Sequence, residues 1–194
     1  RLSAEPRHAM ASATLDDVCY VIGGWKYGSK CSNAVERLAI GAGSTTGGAW
    51  ERVAELNTSR RLHGACACRG KLWIFGGAHR DGKDAAKYRT SSIESYSVED
   101  DTWTTEGDLP FEAPCSAVAA GGFIYVLGHE QLTRFCPEKK TSTNLGPLPL
   151  KDYVSVDVRV CAPPCELQLT TITRLALFFR VRLGDGNFLC RGGN

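Results

Sequence analysis

A pattern returns about every fifty residues along this chain, and it limits the possible folds more than any other feature. An apolar run ends in a glycine pair, and a tryptophan follows later in the same unit. The first copy is Val18-Cys19-Tyr20-Val21-Ile22-Gly23-Gly24, followed by Trp50. The second is Lys71-Leu72-Trp73-Ile74-Phe75-Gly76-Gly77, followed by Trp103. A third, eroded copy is Gly122-Phe123-Ile124-Tyr125-Val126-Leu127-Gly128-His129. Gly23 and Gly76 stand 53 positions apart, Gly76 and Gly128 stand 52 apart, and the two tryptophans stand 53 apart. A fixed period of this size means stacked or radially arranged units, none of which buries its apolar face alone.

Inside each unit, short β-branched and aromatic runs are cut by Gly, Asp and Ser, the signature of strands joined by tight turns. The first two strands of each unit are expected at 11–15 and 18–22, 63–68 and 71–75, and 115–120 and 123–127. Asp16-Asp17, Arg69-Gly70 and Gly121-Gly122 fall between them as two-residue hairpin turns. Third strands are marked by Val35 and Leu38, Ile93 and Tyr96, and Leu132 and Phe135; Trp50 and Trp103 mark outer strands. The glycine pairs are read as structural, sitting where backbones crowd or where φ is positive.

Two further spacings narrow the class. Tyr96 precedes Trp103 by seven residues, and Arg7 and Arg60 each precede their glycine pair by 16. With the glycine pairs, these features resemble the kelch repeat over about residues 6 to 149. The resemblance implies an all-β fold, a β-propeller with one four-stranded blade per repeat. Blades are then expected at about 6–55, 56–108 and 109–150, with a partial fourth at 151–160, which makes the propeller incomplete. The third unit departs from the repeat, with Gly128-His129 for the glycine pair, Glu112 for the arginine and Ser142 for the tryptophan. Val154, Val156, Val158 and Val160 alternate with polar residues as a fourth unit begins, but no glycine-ended strand follows. Residues 161–194 are therefore read as a non-repeat tail or a degenerate blade. An open stack would leave apolar blade faces at its ends, so further blades in a longer parent chain, or self-association, are expected.

Composition excludes several classes. The chain is 43% hydrophobic and 23% charged with a net charge of +2, and has no basic stripe with interleaved aromatics, which argues against nucleic acid as a partner. No apolar run has the length of a membrane span. The nine cysteines are odd in number and lack disulfide-framework spacing. They read as reduced thiols of a cytoplasmic protein, and neither Cys66-x-Cys68 nor Cys161-x-x-x-Cys165 supplies a four-ligand zinc site.

No convergent set of acids, bases or nucleophiles appears, so no catalytic residue, metal or cofactor is assigned and a non-enzyme is expected. The four histidines His8, His63, His79 and His129 follow the repeat and are read as loop or strand-end residues. The kelch resemblance implies that loops before the first strand, and those joining the second to the third, gather on one face. The positions carried over are His8, Arg61 and Ala113 in the first set. In the second set they are Trp25, Lys26 and Tyr27 after one glycine pair, His79, Arg80 and Asp81 after the next, and His129 after the third. Trp, Tyr and Arg are types that dominate binding hot spots. Lys26, Lys30, Arg61, Arg80, Lys83 and Lys87 make the face mildly basic, which suits an acidic peptide or loop of a protein partner. The repeat style resembles propellers that recognise substrates for cullin-type ubiquitin ligases. A piece of a kelch-type enzyme, an oxidase or sugar epimerase, and an actin-binding kelch protein stand as alternatives.

Overall fold

A computed structural model describes residues 6–26, 30–40, 48–79 and 89–147, together with the backbone of three later strands. Its strands, in chain order, are β1 (Arg7–His8), β2 (Ala11–Leu15), β3 (Val18–Ile22), β4 (Trp25–Lys26), β5 (Lys30–Cys31), β6 (Val35–Ala39) and β7 (Glu51–Val53). Next come β8 (Gly64–Cys68), β9 (Lys71–Phe75), β10 (Ser92–Ser97), β11 (Thr102–Asp108), β12 (Cys115–Ala120), β13 (Phe123–Gly128), β14 (Gln131–Cys136) and β15 (Thr141–Pro147). The last three are β16 (Val156–Val160), β17 (Glu166–Ile172) and β18 (Ala176–Arg182). No helix occurs among the described residues, so none is long and apolar enough to cross a membrane.

Strands β2-β3-β6-β7, β8-β9-β10-β11 and β12-β13-β14-β15 form three four-stranded antiparallel sheets, blades I to III. The first hairpin of each blade turns at the expected pair, and all six residues have positive φ: Asp16 and Asp17 (49° and 57°), Arg69 and Gly70 (54° and 71°), Gly121 and Gly122 (57° and 78°). Such turns carry the twist that lets two strands pair tightly. Tyr96 pairs with Trp103 and Phe135 with Ser142, so the seven-residue spacing is a cross-strand register. Strands β16-β17-β18 form a further antiparallel sheet, and β16 lies beside β12 as β12 lies beside β8 and β8 beside β2. This sheet takes its second and third strands from the stretch expected to hold a tail or degenerate blade.

The core lies between blades. Leu15, Tyr20, Ile22 and Val35 of blade I pack with Leu72, Ile74, Tyr96 and Trp103 of blade II. Trp73, Phe75 and Ile93 of blade II pack with Ile124, Val126 and Phe135 of blade III. Each sheet thus buries the apolar face of its neighbour, as the repeat pattern requires. Polar bonds fix the spacing of blades I and II. Trp103 Nε1 donates to the Ala54 carbonyl at 2.9 Å, and Asp101 Oδ1 accepts from the Ala54 amide at 2.9 Å and from the Tyr96 hydroxyl at 2.7 Å. The Ala54 and Tyr96 hydrogen bonds hold the Asp101 carboxyl below the usual carboxylate range. Asp101→Ala is expected to cost about 1–3 kcal/mol, from two lost net hydrogen bonds and the poor fit of alanine to a φ of 48°, read as a lower urea midpoint. An unchanged midpoint would mean the turn does not hold blade I.

Candidate functional site

The glycine pairs are the joints that build one end of the propeller. A Cβ on Gly23 would lie 2.6 Å from the Arg60 carbonyl oxygen and 2.8 Å from His63 Cε1, both in the next unit. A Cβ on Gly24 would lie 2.9 Å from the His8 carbonyl oxygen and 3.1 Å from Met10 Cβ, both in its own unit. The first glycine therefore admits the neighbouring unit and the second admits its own first strand. Gly76 and Gly77 repeat the division, the former against Ala113 and Cys115, the latter against Arg61 and His63. All four have positive φ, so both crowding and conformation demand glycine.

Beneath these joints lie buried ion pairs. Arg7 Nη2 meets Glu36 Oε2 at 2.7 Å, and Arg60 pairs with Glu94; all four side chains are buried. Arg60 also donates through Nη1 to the Gly76 and Ser92 carbonyls at 3.0 Å each, and through Nη2 to the Ser92 hydroxyl at 2.7 Å. Glu94 in turn accepts from the Asn57 amide at 2.9 Å and from the Thr58 amide at 3.3 Å. Burial lowers the Arg60 guanidinium from its usual range, and the Glu94 charge works against that shift. Blade III has neither partner: Glu112 is exposed where the arginine is expected, and Thr133 takes the buried strand position with its hydroxyl unpartnered. There Phe111 comes up to Gly128 instead, with a Cβ on that glycine 2.8 Å from Phe111 Cε2, and His129 stacks on Phe111 at 6.4 Å between ring centroids.

Next to the buried arginines, His8 is exposed and Arg61 is half-buried. Strands β1, β4 and β5 form a three-stranded ribbon in which His8 pairs with Trp25 and Trp25 with Cys31. Arg61 pairs with Ala78 and Ala78 with Arg89 in the corresponding place of the second unit. The two units meet where the Arg61 guanidinium lies over the Trp25 ring, 4.3 Å from its centroid, and where Cys31 Sγ donates to the Ala78 carbonyl at 3.5 Å. A cation over the indole face is electrostatically favourable; Arg61 is half-buried there, with its Nε buried and without a hydrogen-bond partner. Arg7 of the first ribbon turns inward to Glu36; the other described ribbon residues, His8, Trp25, Lys26, Lys30 and Cys31 in one and Arg61, Ala78 and Arg89 in the other, include no acid.

The structure thus brings His8, Trp25, Lys26 and Arg61 together, with His79 next to Ala78 in the chain. Ala113 is buried at the Gly76 joint. His129 is exposed in a two-residue turn with Glu130, at φ of 49° and 59°, rather than in a long loop. Tyr27, Arg80, Asp81, Lys83 and Lys87 lie outside the described residues. His63 differs from the other histidines, being buried with neither ring nitrogen in a hydrogen bond of ordinary geometry. Burial pushes its imidazole down to about 3, the Arg60 charge adds to the fall, and the nearby Ile22 backbone opposes it. Reading by residue type passed over Leu62 and Met10, exposed by 42% and 41% beside this site, and Arg89. The period carries a signal for one of them, since Leu62 stands 53 positions after Ala9. Cys115 donates its thiol to the Phe75 carbonyl at 2.9 Å and burial pushes it up to about 12, so it stays a thiol. No cluster of metal-ligating side chains occurs among the described residues.

The Kelch motif matches residues 6–57 and 59–110, more than half of the chain, and the chain belongs to the kelch-motif family. It is 32% identical over 133 residues to Kelch repeat and BTB domain-containing protein 12 of Danio rerio, covering 65% of this chain and 20% of that one. It is 33% identical over 125 residues to Kelch-like protein 33 of Homo sapiens, covering 63% of this chain and 21% of that one. Beta-scruin of Limulus polyphemus matches at 26% identity over 78% of this chain and 16% of its own length. The chain therefore spans about a fifth of the length of these relatives. The solved structure of YjhT superposes with a TM-score of 0.78 at 14% identity, across 98% of this chain and 65% of that one, which shows a shared fold.

Proposed function

We propose that this kelch module binds a protein partner, through an acidic peptide or loop, on the face made by the two ribbons. The observation that carries this reading is Arg61 lying over Trp25 amid residues that include no acid among those described. A half-buried guanidinium held over an aromatic ring, with its Nε unpartnered, is preorganised to meet a carboxylate. The wider role is substrate recognition for a cullin-type ubiquitin ligase in the cytoplasm, supported by a relative named for both kelch repeats and a BTB domain.

The test is selection of phage-displayed random peptides on the purified chain, followed by affinity measurement on synthetic copies. Acidic sequences are expected to be enriched. Arg61→Ala is expected to weaken them about tenfold, the effect of one hot-spot side chain, and to leave the melting temperature nearly unchanged. Enrichment without acidic character, or equal binding by Arg61→Ala, would sink the reading.

A further inference from the structure

Leu62 combines two unfavourable features. It is a large apolar side chain left 42% exposed, and its φ is 55°, in the left-handed region that branched and bulky side chains avoid. The conformation is imposed by the propeller. The Leu62 amide donates to the Ala9 carbonyl of the preceding unit at 2.9 Å, and its carbonyl accepts from Cys115 of the following unit at 3.1 Å. Ala9, its counterpart one period earlier, has the same conformation at 54°. Position 62 must therefore adopt positive φ in this fold, and glycine or asparagine would do so at lower cost. Leu62 belongs to neither interblade core and leaves 42% of its surface exposed. Strain of this kind, held by surroundings that over-determine it, collects at binding sites.

Its neighbours say what it would meet. Arg61 precedes it and lies over Trp25, and Met10, next to Ala9, is 41% exposed. Two exposed apolar residues thus adjoin the ribbons in the chain, Leu62 after Arg61 and Met10 two positions after His8.

We infer that Leu62 is a specificity residue of this face, selecting acidic peptides that carry an aliphatic or aromatic side chain beside the acid. The inference rests on the binding reading above and adds to it an apolar requirement that Arg61 does not explain. Charge complementarity with the ribbon residues draws the peptide, and the exposed leucine discriminates among acidic peptides by burying one apolar side chain.

The experiment repeats the peptide selection with wild type, Leu62→Gly and Leu62→Asn, and adds a thermal melt of each. Wild type is expected to enrich acidic peptides with one apolar position. Both variants are expected to keep the acidic preference, lose the apolar position and bind the wild-type peptides about tenfold more weakly. Both are also expected to melt at the wild-type temperature or above it, because they relieve the positive-φ strain. A merely structural leucine gives the opposite sign in the melt, so clearly lower melting temperatures for both variants would overturn the inference. Acidic enrichment with an apolar position that both variants retain would overturn it as well, and would leave the binding reading standing. Failure of wild type to enrich acidic peptides would overturn the binding reading and this inference with it.

Discussion

Arg60→Met is expected to lower the stability of the chain by about 3–5 kcal/mol, the usual cost of removing one partner of a buried ion pair. The size follows from what is left behind. Glu94 is 1% exposed and would keep its carboxylate inside the protein without its countercharge. Its remaining donors are the amides of Asn57 and Thr58. The Gly76 and Ser92 carbonyls would lose the Arg60 donors as well. The double variant Arg60→Met/Glu94→Leu removes both charges and is expected to recover most of the loss, because a well-packed apolar pair is often as stable as the ion pair it replaces. Urea midpoints of wild type, single and double variants make the comparison. A single variant within about 1 kcal/mol of wild type would refute a buried pair of this kind. Blade III supplies the natural counterpart of the double variant. It lacks both charges, having Glu112 exposed and Thr133 at the buried strand position, and Phe111 packs at its joint.

Most of the blade architecture is local, and so it was legible. The alternation of apolar residues, the paired turn residues and the glycine-ended runs each act within a few positions, and together they placed the first two strands of every blade to within a residue. The seven-residue step from Tyr96 to Trp103 is a cross-strand register, which a sequence can display directly. What escaped depends on contacts between units. Asp101 looks like an ordinary turn acid, and its role in holding Ala54 needs the geometry of two adjacent blades. His63 looks like its fellow histidines in the repeat, but it is the residue that fits against the glycine of the preceding unit. Of the candidate site, types known to dominate interfaces pointed to Trp25 and Arg61, and the cation–π contact joining them is a tertiary fact. Leu62 was hidden because its interest lies in backbone conformation and exposure, neither of which an apolar letter reveals.

The stability of this chain is expected to fall as the pH drops from neutrality toward 3, with His63 as a main cause. The sign follows from the direction of its shift. The unfolded imidazole takes up a proton around pH 6.5, while in the folded chain protonation is held off to about 3. Between these values the unfolded state binds the extra proton, so stability rises with pH and is lost as the pH falls through the window. The full window corresponds to about 3–5 kcal/mol at roughly 1.4 kcal/mol per unit, of which about 2 kcal/mol is gone by pH 5. The cause lies in the blade joint: a charged ring there would sit against Gly23 and Gly77, cut off from water and next to the Arg60 guanidinium. Carboxylates held low in the folded state, such as Asp101, lose their contribution only below the unfolded carboxylate range, so the interval from pH 7 to 5 is largely free of them. Urea midpoints of wild type and His63→Leu across that interval test the assignment. The variant is expected to lose about 2 kcal/mol less than wild type between pH 7 and 5, whatever its stability at neutrality. Parallel profiles for the two proteins would remove His63 from the acid response and with it the neutral, buried imidazole at the joint between blades I and II.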